Sequence, residues 1–550
     1  MSLRTTALLL SVVALAPLAP VAADAPKVSS FYPGGARRGD TVQVQAEGSF
    51  KPWPVQVWVD RPGLMFEPGE EAGRFSATVS PDASPGVYWV RLYNAEGAAP
   101  IRPFVVGTLP EIIEAEPNDA GDQAQAIGPE ATVINGKLQK SGDVDTFALP
   151  LDSGQTLVAA LEANRHLGSP MDGVLQIVSP LGFVLDHADN SPTLDPGLTF
   201  TAPSAGTYLV RVFAFPAEPN SSIRFAGAED YVYRLTLTTG GLVDLALPSA
   251  VSASGIEAAP DSLPVGWNLP VEAASLTTAP ASGRRRVAWD DNLAGFAQLD
   301  IVEIPVVLEP DADDPPPIPA PALVCGRLDI PGQVDTIPLR APAGASLSLR
   351  VEGRSLGAPI DPVLRIVDSS GAQLAEADDS RRDPDPQATV TVPADGLLTV
   401  SIRDLHGRGG PRYLYRLDAR EVAPRLVASV AADHFELNPG SPLEIAVSID
   451  RQDGFDRTVT FAAEGLPDGV RLESATSEPE GDSSKKVTLR LLAVDVSPWS
   501  GSVHLLALDP DGQPLQPVEA SRLDGSLTED LWLTVLPATD STGEADADGS

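Results

Sequence analysis

The chain has 550 residues, with 38 Lys+Arg against 75 Asp+Glu and a formal net charge of -37. That charge excludes a general nucleic-acid binder, because phosphates would be repelled. A single cysteine excludes a disulfide framework and any site built from several thiolates. At about 100–150 residues per domain, the length implies several small cores rather than one large one.

In chain order, Arg4 precedes a mostly apolar run from Ala7 to Ala16, then Pro17, Pro20 and Val21-Ala22-Ala23. A basic start, a short apolar core and small residues before the cut predict a secretory signal peptide over 1–23. The run is too short to span a bilayer, and no later stretch reaches about 20 apolar residues. The expected product is secreted, cell-surface or periplasmic, without a membrane span. Its carboxylates keep copies apart, so a monomer is expected.

Beyond the leader, short alternating runs bounded by Gly, Pro, Asp and Asn replace helical periodicity. Thr41-Val-Gln-Val-Gln-Ala46, Val55-Gln-Val-Trp-Val59, Tyr208-Leu-Val-Arg-Val212 and Val487-Thr-Leu-Arg-Leu-Leu492 are examples. Period-two alternation rich in β-branched residues marks half-buried strands. The predicted fold class is all-β: tandem antiparallel β-sandwiches of jelly-roll and immunoglobulin-like type. The expected units are 26–107, 110–240, a small β-unit or irregular extension at 241–307, 308–420 and 424–537. The acidic, Pro-rich 309–321 reads as a stiff linker, and 538–550 as a polar acidic tail.

Two stretches match in order. The first contains Gly142-Asp-Val-Asp-Thr-Phe147, Met171-Asp-Gly-Val-Leu-Gln-Ile177, Gly182, Ala188-Asp-Asn190 and Tyr231-Val-Tyr-Arg-Leu235. The second contains Gly332-Gln-Val-Asp-Thr-Ile337, Ile360-Asp-Pro-Val-Leu-Arg-Ile366, Gly371, Ala377-Asp-Asp379 and Tyr413-Leu-Tyr-Arg-Leu417. This spacing predicts duplication of a whole domain, with the shared glycines at turns of positive φ.

Together with Glu114-Ala-Glu-Pro-Asn-Asp119 and Gly206-Thr-Tyr208, these residues resemble the bacterial pre-peptidase C-terminal domain family. That family is a small β-sandwich appended to secreted peptidases and related to the collagen-binding domains of bacterial collagenases. The resemblance covers 110–240 closely and 308–420 more loosely. Segment 26–107 resembles immunoglobulin-like domains of the IPT/TIG sort, and 424–537 resembles bacterial surface immunoglobulin-like domains.

Glu114, Glu116 and Asn118 alternate, so in an extended segment they project to one side. Asp143 and Asp145 repeat that spacing. Packed together, the two segments would offer several hard oxygens, which calcium favours. The related domains bind calcium through a similar acidic segment. The resemblance therefore implies Glu114, Glu116, Asn118, Asp119, Asp143 and Asp145 as ligands. The alternative is a solvated acidic turn with a capping aspartate. In the second repeat Gln333 replaces Asp143, and Glu309-Pro-Asp-Ala-Asp-Asp314 only loosely matches, so that site is expected to be lost or weak.

Nucleophile chemistry finds little support. No H-E-x-x-H motif accompanies the five histidines. His406-Gly407 resembles the histidine motif of subtilisin-like proteases, but their Gly-Thr-Ser nucleophile motif is missing. Cys325 reads as a buried structural thiol. Asp172 and Asp361 read as turn caps. Trp58, Trp89, Arg91 and Tyr93 could form a binding face, but burial at a domain junction accounts for them better.

The resulting expectation is a non-catalytic extracellular β-protein that binds or scaffolds toward extracellular protein or polysaccharide. The alternative is an accessory part of a secreted subtilisin-like protease.

Overall fold

The structure is a computed structural model. It describes residues 24–537 except 190–192, 219–223, 255–261, 272–273, 280–284, 313–314, 380–382, 474 and 495. The predicted leader 1–23 and tail 538–550 lie outside the described residues. Among the described residues strands dominate, joined by one short helix, Asn164–Leu167, and brief 3₁₀ turns. The all-β expectation holds.

Alternation in the sequence becomes alternation in burial. In Leu443–Gln452, Ile445, Val447 and Ile449 are buried while Glu444, Ser448 and Asp450 are exposed. Each such apolar side chain contributes about 1.5–3 kcal/mol on burial. A register slip of one residue would turn the acids inward, so the pairing is strongly specified.

Among the described residues the strands form paired sheets. A four-stranded sheet from Lys27–Tyr32 to Leu64–Pro68 faces a second containing Gly86–Asn94, around Phe31, Phe66, Phe75 and Phe104. The two repeats each hold two five-stranded sheets with the same strand order. In the first, Phe147, Leu157, Val210 and Tyr233 lie in the core; Ile337, Leu347, Val400 and Tyr415 do so in the second. Between them, 241–307 forms a three-stranded and a four-stranded sheet around Val243, Ala288 and Leu299. Two larger sheets follow from Arg425 onward.

The matched glycines adopt left-handed conformations in both repeats, as at Gly142 (φ 91°) and Gly332 (φ 79°). Two expectations need correction. Segment 309–321 is not a stiff linker. Val306–Leu308 pairs in parallel with Ala322–Arg327, and Ile318–Pro319 with Val334–Arg340, so the segment edges the second sandwich. Proline is tolerated on such edge strands because no ladder donor is required there.

Asp361 does not cap a turn with its carboxylate. It faces Arg354 at 3.6 Å and His406 at 3.4 Å, and its own N–H donates to Asp404. Asp172 stands opposite Phe215 in the ladder. Clustered backbone N–H groups go to other carboxylates, among them Asp195, from Ala163, Asn164 and Arg165, Asp385, from Gly353, Arg354 and Ser355, and Asp404, from Asp361, His406 and Arg408.

The two terminal sandwiches meet. Arg91, 1% exposed, pairs with Asp433 at 2.9 Å. Trp532 lies 4.7 Å from the ring of Tyr93 and 5.9 Å from that of Trp58, and Arg522 sits over Trp89. The aromatic face is thus covered within the chain.

Candidate metal centre

The strand Glu111–Ile113 pairs with Thr132–Lys137, and Glu114 N–H continues the contact to the Asn135 carbonyl at 3.0 Å. This anchors the acidic segment across one end of the first repeat. Asp145 opens the strand Asp145–Leu151, which brings Gly142-Asp-Val-Asp145 to the same end.

The six expected ligands separate into two adjoining groups. Glu116, Asp119 and Asp143 each offer a carboxylate oxygen within 4.8 Å of the others. Asp143 is fully buried, and its Oδ2 accepts from the Gln139 N–H. Its Oδ1 has no hydrogen-bond partner, although Lys140 Nζ stands 3.8 Å away. Burial, and then the neighbouring Asp119 and Glu116 carboxyls, hold the Asp143 carboxyl above the usual carboxylate range.

Asn118 lies on the same turn. Its N–H donates to Glu116 Oε2 at 3.0 Å, and its carbonyl accepts from Thr146. The side chain is fully buried, yet both amide polar atoms lack partners. A buried amide left unpaired costs about 1–3 kcal/mol, so this is a place where a ligand would repay itself.

Glu114 and Asp145 turn instead onto Tyr233. The Tyr233 hydroxyl faces Asp145 Oδ2 and lies 3.2 Å from Glu114 Oε2, while Glu114 Oε1 accepts from Lys137 N–H at 2.7 Å. Burial pushes Glu114 up to about 7; burial and then the charge of Glu114 push Asp145 up to about 10. The two carboxyls hold a proton between them at neutral pH. Tyr32 of the N-terminal sandwich reaches the same carboxylate, 3.4 Å from Glu114 Oε1. The cluster therefore adjoins the seam between the two sandwiches.

The second repeat reproduces the inner group. The Tyr415 hydroxyl lies between Glu309 Oε2 and Asp335 Oδ2, at 2.7 and 2.9 Å. Arg327 N–H reaches Glu309 Oε1, as Lys137 reaches Glu114. The outer group differs. Gln333 donates its amide to Asp335 at 2.6 Å and accepts from Ile330 N–H. Asp313 and Asp314 lie outside the described residues. The sequence signal for the shared tyrosine is the Tyr-x-Tyr-Arg-Leu pattern that recurs in both repeats, which by itself names no partner.

The other candidates have ordinary surroundings. His166, His406, His434 and His504 each face a carboxylate, from Glu162, Asp361, Asp433 and Asp530. Cys325 is buried beside Ser249, and burial pushes its thiol up, away from the reactive thiolate.

No family model matches the sequence, and no curated protein matches it. Solved structures do match. The pre-peptidase C-terminal domain of collagenase from Bacillus anthracis is 13% identical, over 23% of this chain and 100% of that one, with a TM-score of 0.17. SGBP-B of the Bacteroides ovatus mixed-linkage glucan utilization locus, in complex with a mixed-linkage heptasaccharide, is 11% identical. That match covers 72% of this chain and 74% of that one, at a TM-score of 0.15. The M60 catalytic domain with two CBM51 domains of Clostridium perfringens ZmpB is 9% identical, over 72% and 54%, at 0.14.

Proposed function

We propose that this chain is a non-catalytic, secreted or cell-surface β-scaffold that binds extracellular protein or polysaccharide and is stiffened by calcium in its first repeat. The observation that carries the calcium reading is the buried, unpartnered Asn118 amide on the turn between Glu116 and Asp119, whose carboxylates converge with that of Asp143. The donor set is all hard oxygen, without imidazole or thiolate, which suits calcium over zinc. Glu116, Asp119, Asp143 and the Asn118 carbonyl oxygen would hold the ion. Glu114 and Asp145 stand behind them, bonded to Tyr233, as a supporting layer.

Bound calcium would offset the mutual repulsion of the three acids. It would also tie the 114–119 turn to 139–146. Through Tyr32 on Glu114, the same contact steadies the N-terminal sandwich against the first repeat. A ligand at about 100 times its Kd adds about 2.7 kcal/mol to the folded state. Thermal melting in millimolar calcium and in chelator tests this. A higher melting point with calcium is the expected result, and superimposable curves would remove the ion from the account.

A further inference from the structure

The hairpin that joins Met171–Val178 to Val184–Ala188 in the first repeat exposes Leu181 (83%), Phe183 (67%), Val184 (50%) and Leu185 (44%). The fold does not require these side chains. The second repeat builds the same hairpin, between Pro362–Asp368 and Gln373–Ala377, with the same register shift. Its turn glycine has the same conformation, φ 83° at Gly371 against 86° at Gly182. There the positions matching Leu181, Phe183 and Val184 carry Ser370, Ala372 and Gln373, and only Leu374, 38% exposed, stays apolar opposite Leu185. One frame thus carries an apolar tip in one copy and a polar tip in the other.

We infer that the 179–185 tip inserts into the apolar layer of a lipid surface with headgroups of no net charge. Exposure is highest at the turn and declines along the strand, so the apolar group is convex. Val184 and Leu185 are successive strand residues and project to opposite faces. Apolar groups therefore surround the tip, a distribution that a fluid apolar phase satisfies and a flat protein surface does not.

The backbone of the tip is prepared for leaving water. Ser179 N–H donates to the Phe183 carbonyl at 2.8 Å, and Gly182 N–H to the Ser179 carbonyl at 2.9 Å. Phe183 N–H donates to Ser179 Oγ at 3.0 Å. Internal pairing is what a lipid environment demands of a backbone. In the second repeat the Asp368 carboxylate takes the role of that hydroxyl, accepting from Ser370 and Ala372 N–H at 2.9 Å. The first copy does the same work without a charge, and 179–185 contains no ionisable side chain.

Asp186 and Asp189 follow immediately, on a chain of net charge -37. These repel anionic headgroups and other copies of the chain, which selects a neutral surface.

Co-sedimentation of the full chain with phosphatidylcholine vesicles tests the proposal, with EDTA present so that calcium plays no part. Wild type should pellet with the vesicles, and more weakly when roughly a third of the lipid is phosphatidylglycerol. The Leu181→Ser, Phe183→Ala, Val184→Gln variant, which copies the second repeat, should lose about tenfold in bound fraction with unchanged melting. Ser179→Asp alone should lower binding in the same direction and serves if the triple variant folds poorly. No binding by wild type, or equal binding by the variants, overturns the proposal. So does vesicle-free self-association that the triple variant abolishes, since the tip would then be seated on a second copy.

Discussion

The two repeats share a buried frame and differ in what lies over it. In both, a tyrosine hydroxyl joins a glutamate and an aspartate: Tyr233 with Glu114 and Asp145, Tyr415 with Glu309 and Asp335. In the first, Asp143 then faces Glu116 and Asp119. In the second, Gln333 supplies a neutral N–H₂ to Asp335. A side-chain amide thus does locally what a cation would otherwise do, and the second repeat closes its hydrogen bonds with its own atoms. Duplication kept the tyrosine-bridged pair of acids and freed the outer layer to change.

The strongest way to break this comparison is at the shared frame. A Cβ at Gly136 would fall 2.1 Å from Tyr233 Cζ and 2.6 Å from Glu114 Oε2; at Gly326 it would fall 2.4 Å from Tyr415 Cζ and 2.6 Å from Glu309 Oε2. Gly136→Ala and Gly326→Ala should each cost about 3 kcal/mol by urea unfolding, the upper end of overpacking. A large cost in one repeat alone would dissolve the equivalence. Next, Asp143→Gln should abolish the calcium-dependent rise in melting temperature while leaving the chelated protein folded. A retained rise would move the ion elsewhere.

The reciprocal change sharpens the point. Gln333→Asp removes a donor from Asp335 and adds a like charge, and should cost about 2 kcal/mol without calcium. Denaturation of the chelated protein reads it directly, and an unchanged midpoint would refute the amide's role. The smallest effect is in pH. Burial, and then the neighbouring Asp335, push Glu309 from 4.5 up to about 8. The folded chain therefore binds a proton that the unfolded chain releases, and this stabilisation is full below about pH 4.5 and fades as pH rises to 8. Glu309→Gln should flatten the decline in melting temperature between those values, and an unaltered slope would assign the titration to another group.

Strand alternation and the duplicated glycines made the sandwiches readable, because both are local signals. Glu116, Asp119 and Asp143 were also legible, through charge and spacing. The division of the six expected ligands was not: it depends on Tyr233, which reaches the site from a strand 88 residues away from Asp145. Asp195 and Asp385 left a faint trace, since each precedes a proline in its loop. The 309–321 segment misled because its composition is that of a spacer, while its role is set by pairing with strands further along.

The contact between Arg91 and Asp433 joins residues 342 positions apart. Contacts so distant form slowly, because the intervening chain must be ordered before they reward it. The N-terminal sandwich must wait for the last part of the polypeptide to emerge before Arg91 finds its carboxylate. Once made, the clasp means that a protease nick in a middle loop need not release the two fragments. Non-denaturing chromatography would then recover them together, and denaturant would part them.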